Sequence, residues 1–229
     1  MKIAIVTSLF GNRDVLKKPT VVFEDVDYHA FVDNIYNVEI WNQHIGYKFT
    51  NDLNYSSRRN AKIYKILPEL FLPGYDYYFW VDATHDVVVH PKIIIDEILK
   101  NNNFGCFKHT TRNCAYDEAA EIVKLNYDHV TNVRSQILNY EKEQFPKNAG
   151  LWELSAFIRK NTQETTKFNL MWWEQICKYS SRDQISFPYC LWKTQINPIT
   201  LPGFANGINS TTGKIGNNPI MPQTRHHIL

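Results

Sequence analysis

The chain has 229 residues, 44% hydrophobic and 21% charged, which excludes a disordered chain and suffices for one large domain. Lys plus Arg total 25 against 23 Asp plus Glu, a net charge of +2, so no basic excess marks a partner of nucleic acid polymers. No apolar run approaches the roughly 18 residues that span a bilayer, and the start Met1-Lys2-Ile3 turns polar too soon for a signal peptide, so a cytoplasmic protein is expected.

Residues 3–7 form a short apolar run bounded by Ser8 and Gly11, the pattern of a buried strand. Residues 28–32 form a second strand, ending at Asp33-Asn34, and residues 47–49 a third. Over residues 58–71 the apolar positions Ala61, Ile63, Tyr64, Ile66, Leu67, Leu70 and Phe71 recur at helical spacing, and Leu72-Pro73-Gly74 stops that helix. Residues 77–82 run Tyr-Tyr-Phe-Trp-Val-Asp, a strand buried on both faces that ends in a carboxylate. Pro91 opens a helix to about residue 99, and residues 104–107 are a further strand. Residues 116–125 and 130–140 are helical, residues 154–158 a strand, and residues 168–178 and 183–192 helices. The stretch from about residue 198 is rich in Gly, Asn and Pro and is expected to wrap the surface. Strands alternating with helices predict an α/β fold with a mixed, mostly parallel sheet flanked by helices. In such sheets ligands sit beyond the carboxyl ends of the strands. Three of those ends carry polar groups: Thr7-Ser8, Asp33-Asn34 and Asp82-Ala83-Thr84-His85.

Each polar cluster has two readings. Asp82, with Thr84, His85 and Asp86, is either a ligand set for a divalent cation or a turn cap. Arg58, Arg59, Lys62 and Lys65 on the helix before the Asp82 strand are either an anion site at a helix start or a solvated basic face. The loop from Lys108 and His109 through Arg112 to Asp117 and Glu118 is either a binding loop or a capped helix start. Asp183 and Gln184 either grip sugar hydroxyls, with Asp183 a candidate base, or cap their helix. His226-His227 is either a metal pair or part of a loose chain end. Four cysteines without a C-x-x-C pair give zinc little support and read as free thiols.

Taken in order, these segments resemble a known family. The blocks are Thr7-Ser8-Leu9-Phe10-Gly11, Tyr28 to Asn34, Arg58-Arg59-Asn60-Ala61-Lys62 to Pro68, Tyr75 to Asp82, Lys108 to Glu118 and Arg182-Asp183-Gln184-Ile185-Ser186-Phe187. They span roughly residues 1–195 and resemble the glycosyltransferase-like family, long called a domain of unknown function, that includes plant proteins of cell-wall and mucilage polysaccharide synthesis. The resemblance implies a single GT-A-like domain over residues 1–229. Its nucleotide-binding half would cover about 1–105, its acceptor half about 106–200 and a surface tail 201–229. It implies transfer of a sugar from a nucleotide-diphosphate sugar to a glycan or other hydroxyl acceptor. By that likeness Thr7 and Asp33 flank the nucleoside. Arg58, Arg59 and Lys62 face the diphosphate, and Asp82 is the metal-binding acid for Mn²⁺ or Mg²⁺. Lys108, His109, Arg112, Asp117 and Gln184 approach donor sugar and acceptor. Asp183 is the first choice of base and Glu118 the second. The plant members carry membrane anchors, so a chain without one is expected to be a microbial or viral catalytic domain.

Two other classes compete. One is a nucleotide-sugar or carbohydrate-binding protein of the same fold without turnover. The other is a different α/β enzyme, such as a glycoside hydrolase or nucleotidyltransferase. Neither phosphate-loop pattern, G-x-x-x-x-G-K-[ST] or G-x-G-x-x-G, occurs, which removes the commonest kinase and dehydrogenase signatures.

Overall fold

The computed structural model describes residues 1–11, 14–47 and 56–203. Its centre is one seven-stranded sheet. The strands are β1 (Ile3–Leu9), β2 (Asp27–Val32), β3 (Asn42–Ile45), β4 (Tyr77–Val81), β5 (Phe104–Lys108), β6 (Trp152–Lys160) and β7 (Ile199–Thr200). They lie in the order β3-β2-β1-β4-β6-β5-β7. β6 alone runs against its neighbours β4 and β5, so the sheet is mixed and mostly parallel, as the alternation of elements predicted.

The helices are α1 (Ser56–Ile66), α2 (Pro91–Ile93, continued as a π-helix over Ile94–Leu99), α3 (Ala115–Lys124), α4 (Val130–Lys142), α5 (Gln163–Lys178) and α6 (Asp183–Thr194). Strand alternation assigns the two cores. Ala4, Val6, Tyr78 and Trp80 join α1, α3, α4, α5 and α6 on one face. Ile3, Ile5, Phe79 and Val81 face α2 and the segment bearing Leu16, Val26 and Trp41 on the other. β1 and β4 are covered on both faces, which is why their sequences are continuous apolar runs.

Several elements differ from the sequence reading. The stretch expected to wrap the surface from about residue 198 instead adds the edge strand β7 beside β5 and buries Leu201, and α5 begins at Gln163 rather than residue 168. The third strand is Asn42–Ile45 rather than residues 47–49; Tyr47 follows it, and residues 48 and 49 lie outside the described residues. An edge strand pairs on one side only and needs no apolar stripe, so its polar sequence hid it. α1 ends at Ile66 rather than Phe71. Pro68 has no N–H to continue the helix and opens a 3-10 turn over Pro68–Leu70. Of the expected surface tail, residues 204–229, with His226 and His227, lie outside the described residues. No helix among the described residues is long and apolar enough to cross a membrane.

Two local features shape the ligand edge. Gly11 turns the chain after β1 with φ +80°, and a Cβ there would stand 2.8 Å from Ser57 Cβ. Only glycine lets the β1 turn approach the start of α1 this closely. On β6 the pairing with β5 shifts between Cys106↔Phe157 and Phe107↔Glu153. The extra residues, Leu154, Ser155 and Ala156, bulge beside the tip of β4, where the Asp82 amide donates to the Ser155 carbonyl at 2.7 Å.

Candidate functional site

Beyond the carboxyl ends of β1 and β4 lies a cleft of two adjoining lobes. The first, about 370 Å³, is bounded by Ser8 and Phe10 of the β1 end, by Ser57, Arg58 and Ala61 of α1, and by Trp80, Ala83 and Thr84. The second, about 480 Å³, is bounded by His109, Arg112 and Glu118, by the β6 bulge from Glu153 to Ser155, and by Gln184. Lys62, Asp82 and Arg182 line both lobes and form their junction. Each volume suits a small-molecule site.

The junction is built on buried charge. α1 places Lys62 and Lys65 one turn apart on its sheet-facing side. Both ammonium groups lie 2.6 Å from Asp183 Oδ2 at the start of α6, and Lys65 is also 3.9 Å from Asp82 Oδ1. Lys65 retains 2% of its side-chain exposure and Asp183 7%, so water screens this cluster little. Burial alone would raise the Asp183 carboxyl, but Lys62 and Lys65 override it and hold it well below the usual carboxylate range. Burial pushes Lys62 down to about 8, against the attraction of Asp183.

Asp82 differs from the other acids. It stands at the β4 tip with 43% of its side chain exposed. Its Oδ1 accepts the Trp80 indole N–H at 2.8 Å, and among the described residues Oδ2 has no hydrogen-bond partner. In the second lobe, Arg112 Nε donates to Glu118 Oε2 at 2.7 Å, and His109 Nε2 lies 3.9 Å from the same oxygen. His109 Nδ1 accepts the amides of Thr111 and Arg112. Burial, with Arg112 nearby, lowers the His109 imidazole below its ordinary value against the attraction of Glu118.

Of the residues singled out in the sequence, the cleft brings together Arg58, Lys62, Asp82, Thr84, His109, Arg112, Glu118, Asp183 and Gln184. Others stand apart. Thr7 is fully buried on the opposite sheet face, where with His85 it lines a separate cavity of about 130 Å³. Asp33 Oδ2 accepts the Gly11 amide at 2.7 Å and braces the β1 turn. Arg59 donates to the Tyr179 carbonyl at 2.8 Å. Lys108 ends β5 exposed, and Asp117 lies in the first turn of α3 without lining either lobe. Arg58 lines the first lobe while also donating to the Tyr127 carbonyl.

The sequence reading did not single out Tyr127 or Glu153; it named Ser8 only as a polar group at the β1 end, Arg182 only inside a matched block, and Lys65 only with the other basic residues of α1. The Lys65 position was legible in its spacing from Lys62. Tyr127 and Arg182 sit on loops, and Ser8 and Glu153 on strands, that meet only in the folded chain.

The expected ligand set of Asp82, Thr84 and His85 does not converge. His85 lies across the sheet, with its Nδ1 2.9 Å from the Thr84 hydroxyl. Among the described residues no group of three His, Cys, Asp or Glu side chains is placed to hold a metal. The free oxygen of Asp82 does fit a cation that arrives on substrate phosphates, since such ions are commonly held by one carboxylate plus phosphate oxygens and water.

Mouse xyloside xylosyltransferase 1 covers 83% of this chain and 79% of its own, with a TM-score of 0.40 and 7% identity. The bifunctional glycosyltransferase WbbM covers 88% of this chain and 38% of its own, with a TM-score of 0.47 and 10% identity. A probable hexosyltransferase, MUCI70 of Arabidopsis thaliana, is 29% identical over 149 residues, 60% of this chain. The match spans 26% of that plant protein, about a quarter of its length. The TOD1/MUCI70, glycosyltransferase-like domain matches residues 1–208, nearly the whole chain, and the chain belongs to that glycosyltransferase-like family.

Proposed function

We propose that the protein transfers a sugar from a nucleotide-diphosphate sugar to a hydroxyl of a glycan or similar acceptor. The observation that carries this reading is the two-lobed cleft joined at Lys62, Asp82 and Arg182. The first lobe, with Phe10 and the start of α1, takes the nucleoside. The second, lined by His109, Arg112, Glu118 and Gln184, takes the donor sugar and acceptor. The diphosphate lies between, where cations stabilise the charge that develops as the leaving group departs.

Asp82 would hold a divalent cation, Mn²⁺ or Mg²⁺, which when bound supplies positive charge to the leaving diphosphate. Lys62 adds a positive charge from α1 that is lost as pH rises through about 8. Asp183, ionised and shared by two lysines, is a poor proton acceptor at neutral pH. Its task in this reading is to hold Lys62 and Lys65 in the cleft. Glu118 remains the candidate base for an inverting transfer, and a retaining transfer needs no base at this place.

One observation favours a second reading. Both acids named as bases are already engaged, Asp183 by two lysines and Glu118 by Arg112. A nucleotide-sugar binding protein without turnover would tolerate this. A thermal-shift panel of UDP-, GDP-, ADP- and CMP-sugars with Mn²⁺, followed by an assay for nucleotide release, separates the readings. Stabilisation with nucleotide release supports transfer. Stabilisation without release, with or without candidate acceptors, supports binding alone. No stabilisation by any donor contradicts both.

A further inference from the structure

Of the three residues shared by the two lobes, Lys62 is already paired with Asp183, which it shares with Lys65, and Asp82 is the acid. Arg182 has no ion pair among the described residues, and its buried Nε has no hydrogen-bond partner. An arginine donor left buried and unpaired costs free energy unless a ligand completes it.

Arg182 is nevertheless held firmly. Its guanidinium carbon lies 5.3 Å from the centre of the Tyr127 ring. Its own amide donates to Ser180 Oγ at 3.1 Å. The next residue, Asp128, is buried, and its Oδ2 accepts Ser180 Oγ, the Ser181 amide and Ser181 Oγ at 2.8 to 2.9 Å. Arg58 donates to the Tyr127 carbonyl. Tyr127 and Asp128 thus form a bracket. One residue supports the guanidinium by its ring, and the other fixes the backbone that carries it. A guanidinium held over an aromatic ring spends none of its N–H donors on that contact, which leaves them for an oxyanion.

Building on the proposed donor site, we propose that Arg182 is the residue that grips the diphosphate of the nucleotide, and that Tyr127 is its positioning residue. The two outer oxygens of a phosphoryl group match the paired N–H donors of the guanidinium. The place, between the nucleoside lobe and the sugar lobe, is where a pyrophosphate linkage would lie.

Calorimetric titration at fixed Mg²⁺ tests this, with UDP, GDP, ADP and CDP, the corresponding nucleosides and inorganic pyrophosphate as probes. The proteins are the intact chain and its Arg182→Gln, Arg182→Lys, Tyr127→Phe and Tyr127→Leu variants. Arg182→Gln should weaken the tightest nucleoside diphosphate at least about tenfold and leave its nucleoside within about twofold, a split that a general loss of structure would not give. Arg182→Lys should recover part of the loss. Tyr127→Phe, which keeps the ring, should bind like the parent, and Tyr127→Leu should fall between the parent and Arg182→Gln. Equal weakening of nucleoside and diphosphate, or none in either Arg182 variant, overturns the assignment while the donor site stands. An intact chain that binds neither pyrophosphate nor any nucleoside diphosphate overturns the assignment and the donor site together.

Discussion

Lys65 Nζ lies 2.6 Å from Asp183 Oδ2, in a contact that almost no water reaches. Lys62 reaches the same oxygen, so one carboxylate anchors two cations of one helix to the start of another. The contact joins the α1 and α6 sides of the cleft and sets the charge at its junction. Its energy is a structural matter as much as a chemical one.

Removing that carboxylate should therefore unfold more than it inactivates. Asp183→Ala leaves two buried ammonium groups facing each other, a loss of about 3–5 kcal/mol. Urea denaturation of the variant against the parent measures it. A change below about 1 kcal/mol would show that the pairing does little for the fold.

Lys62 gives the cleft a pH dependence of known sign. Its folded value is about 8, below the ordinary 10.5. Between these values the folded state releases a proton that the unfolded state keeps, so this group's contribution to stability rises with pH. Affinity for a diphosphate should move oppositely, falling as pH rises through about 8 and the charge is lost. Lys62→Arg keeps its charge across this range and should flatten both trends. Matching profiles for parent and variant would remove Lys62 from the ligand.

His29 acts at the other end of the scale. Burial, with the neighbouring His44, lowers it to about 4, and its ring nitrogens meet His44 Nε2 at 3.0 Å and the Tyr75 hydroxyl at 2.7 Å. Between the ordinary value of 6.5 and about 4 the unfolded state takes up a proton that the folded state resists. Stability from this group should be full above pH 6.5, decline as pH falls to about 4, and change no further below. Melting temperatures of the parent and His29→Gln across that range should converge as pH falls. Parallel curves would show that the ring titrates normally.

Asp128 should behave as a fixed structural anion. Burial favours its neutral form, yet the Ser180 and Ser181 hydroxyls and two backbone amides hold it below the ordinary carboxylate range. Asp128→Ala strands those donors and should cost about 2–4 kcal/mol. It should also loosen Arg182, so diphosphate affinity should fall in the residual folded protein. Intact stability together with intact affinity would contradict the bracket.

Much of this arrangement could be read before folding. β1 and β4 announced themselves as unbroken apolar runs because both of their faces are covered, and Asp82 was legible as the carboxylate at such a strand's tip. β3 was not, because an edge strand can be as polar as Asn42-Gln43-His44. Site residues failed where a face had to be chosen. Thr7 and Ser8 are neighbours that point to opposite sides of the sheet, and only the packing of α1 selects Ser8. His85 is carried across by the turn in which its amide donates to the Asp82 carbonyl at 2.9 Å. The partnership of Tyr127 and Arg182 joins two loops far apart in the chain, and no local spacing encodes it.

The most direct measurement is a crystal structure of the protein soaked with the nucleoside diphosphate that binds most tightly, in the presence of Mn²⁺. The account predicts one continuous ligand, with its base beside Phe10 and its phosphates between Lys62, Asp82 and Arg182. A nucleotide seated elsewhere, or one whose phosphates avoid all three of those side chains, would contradict it.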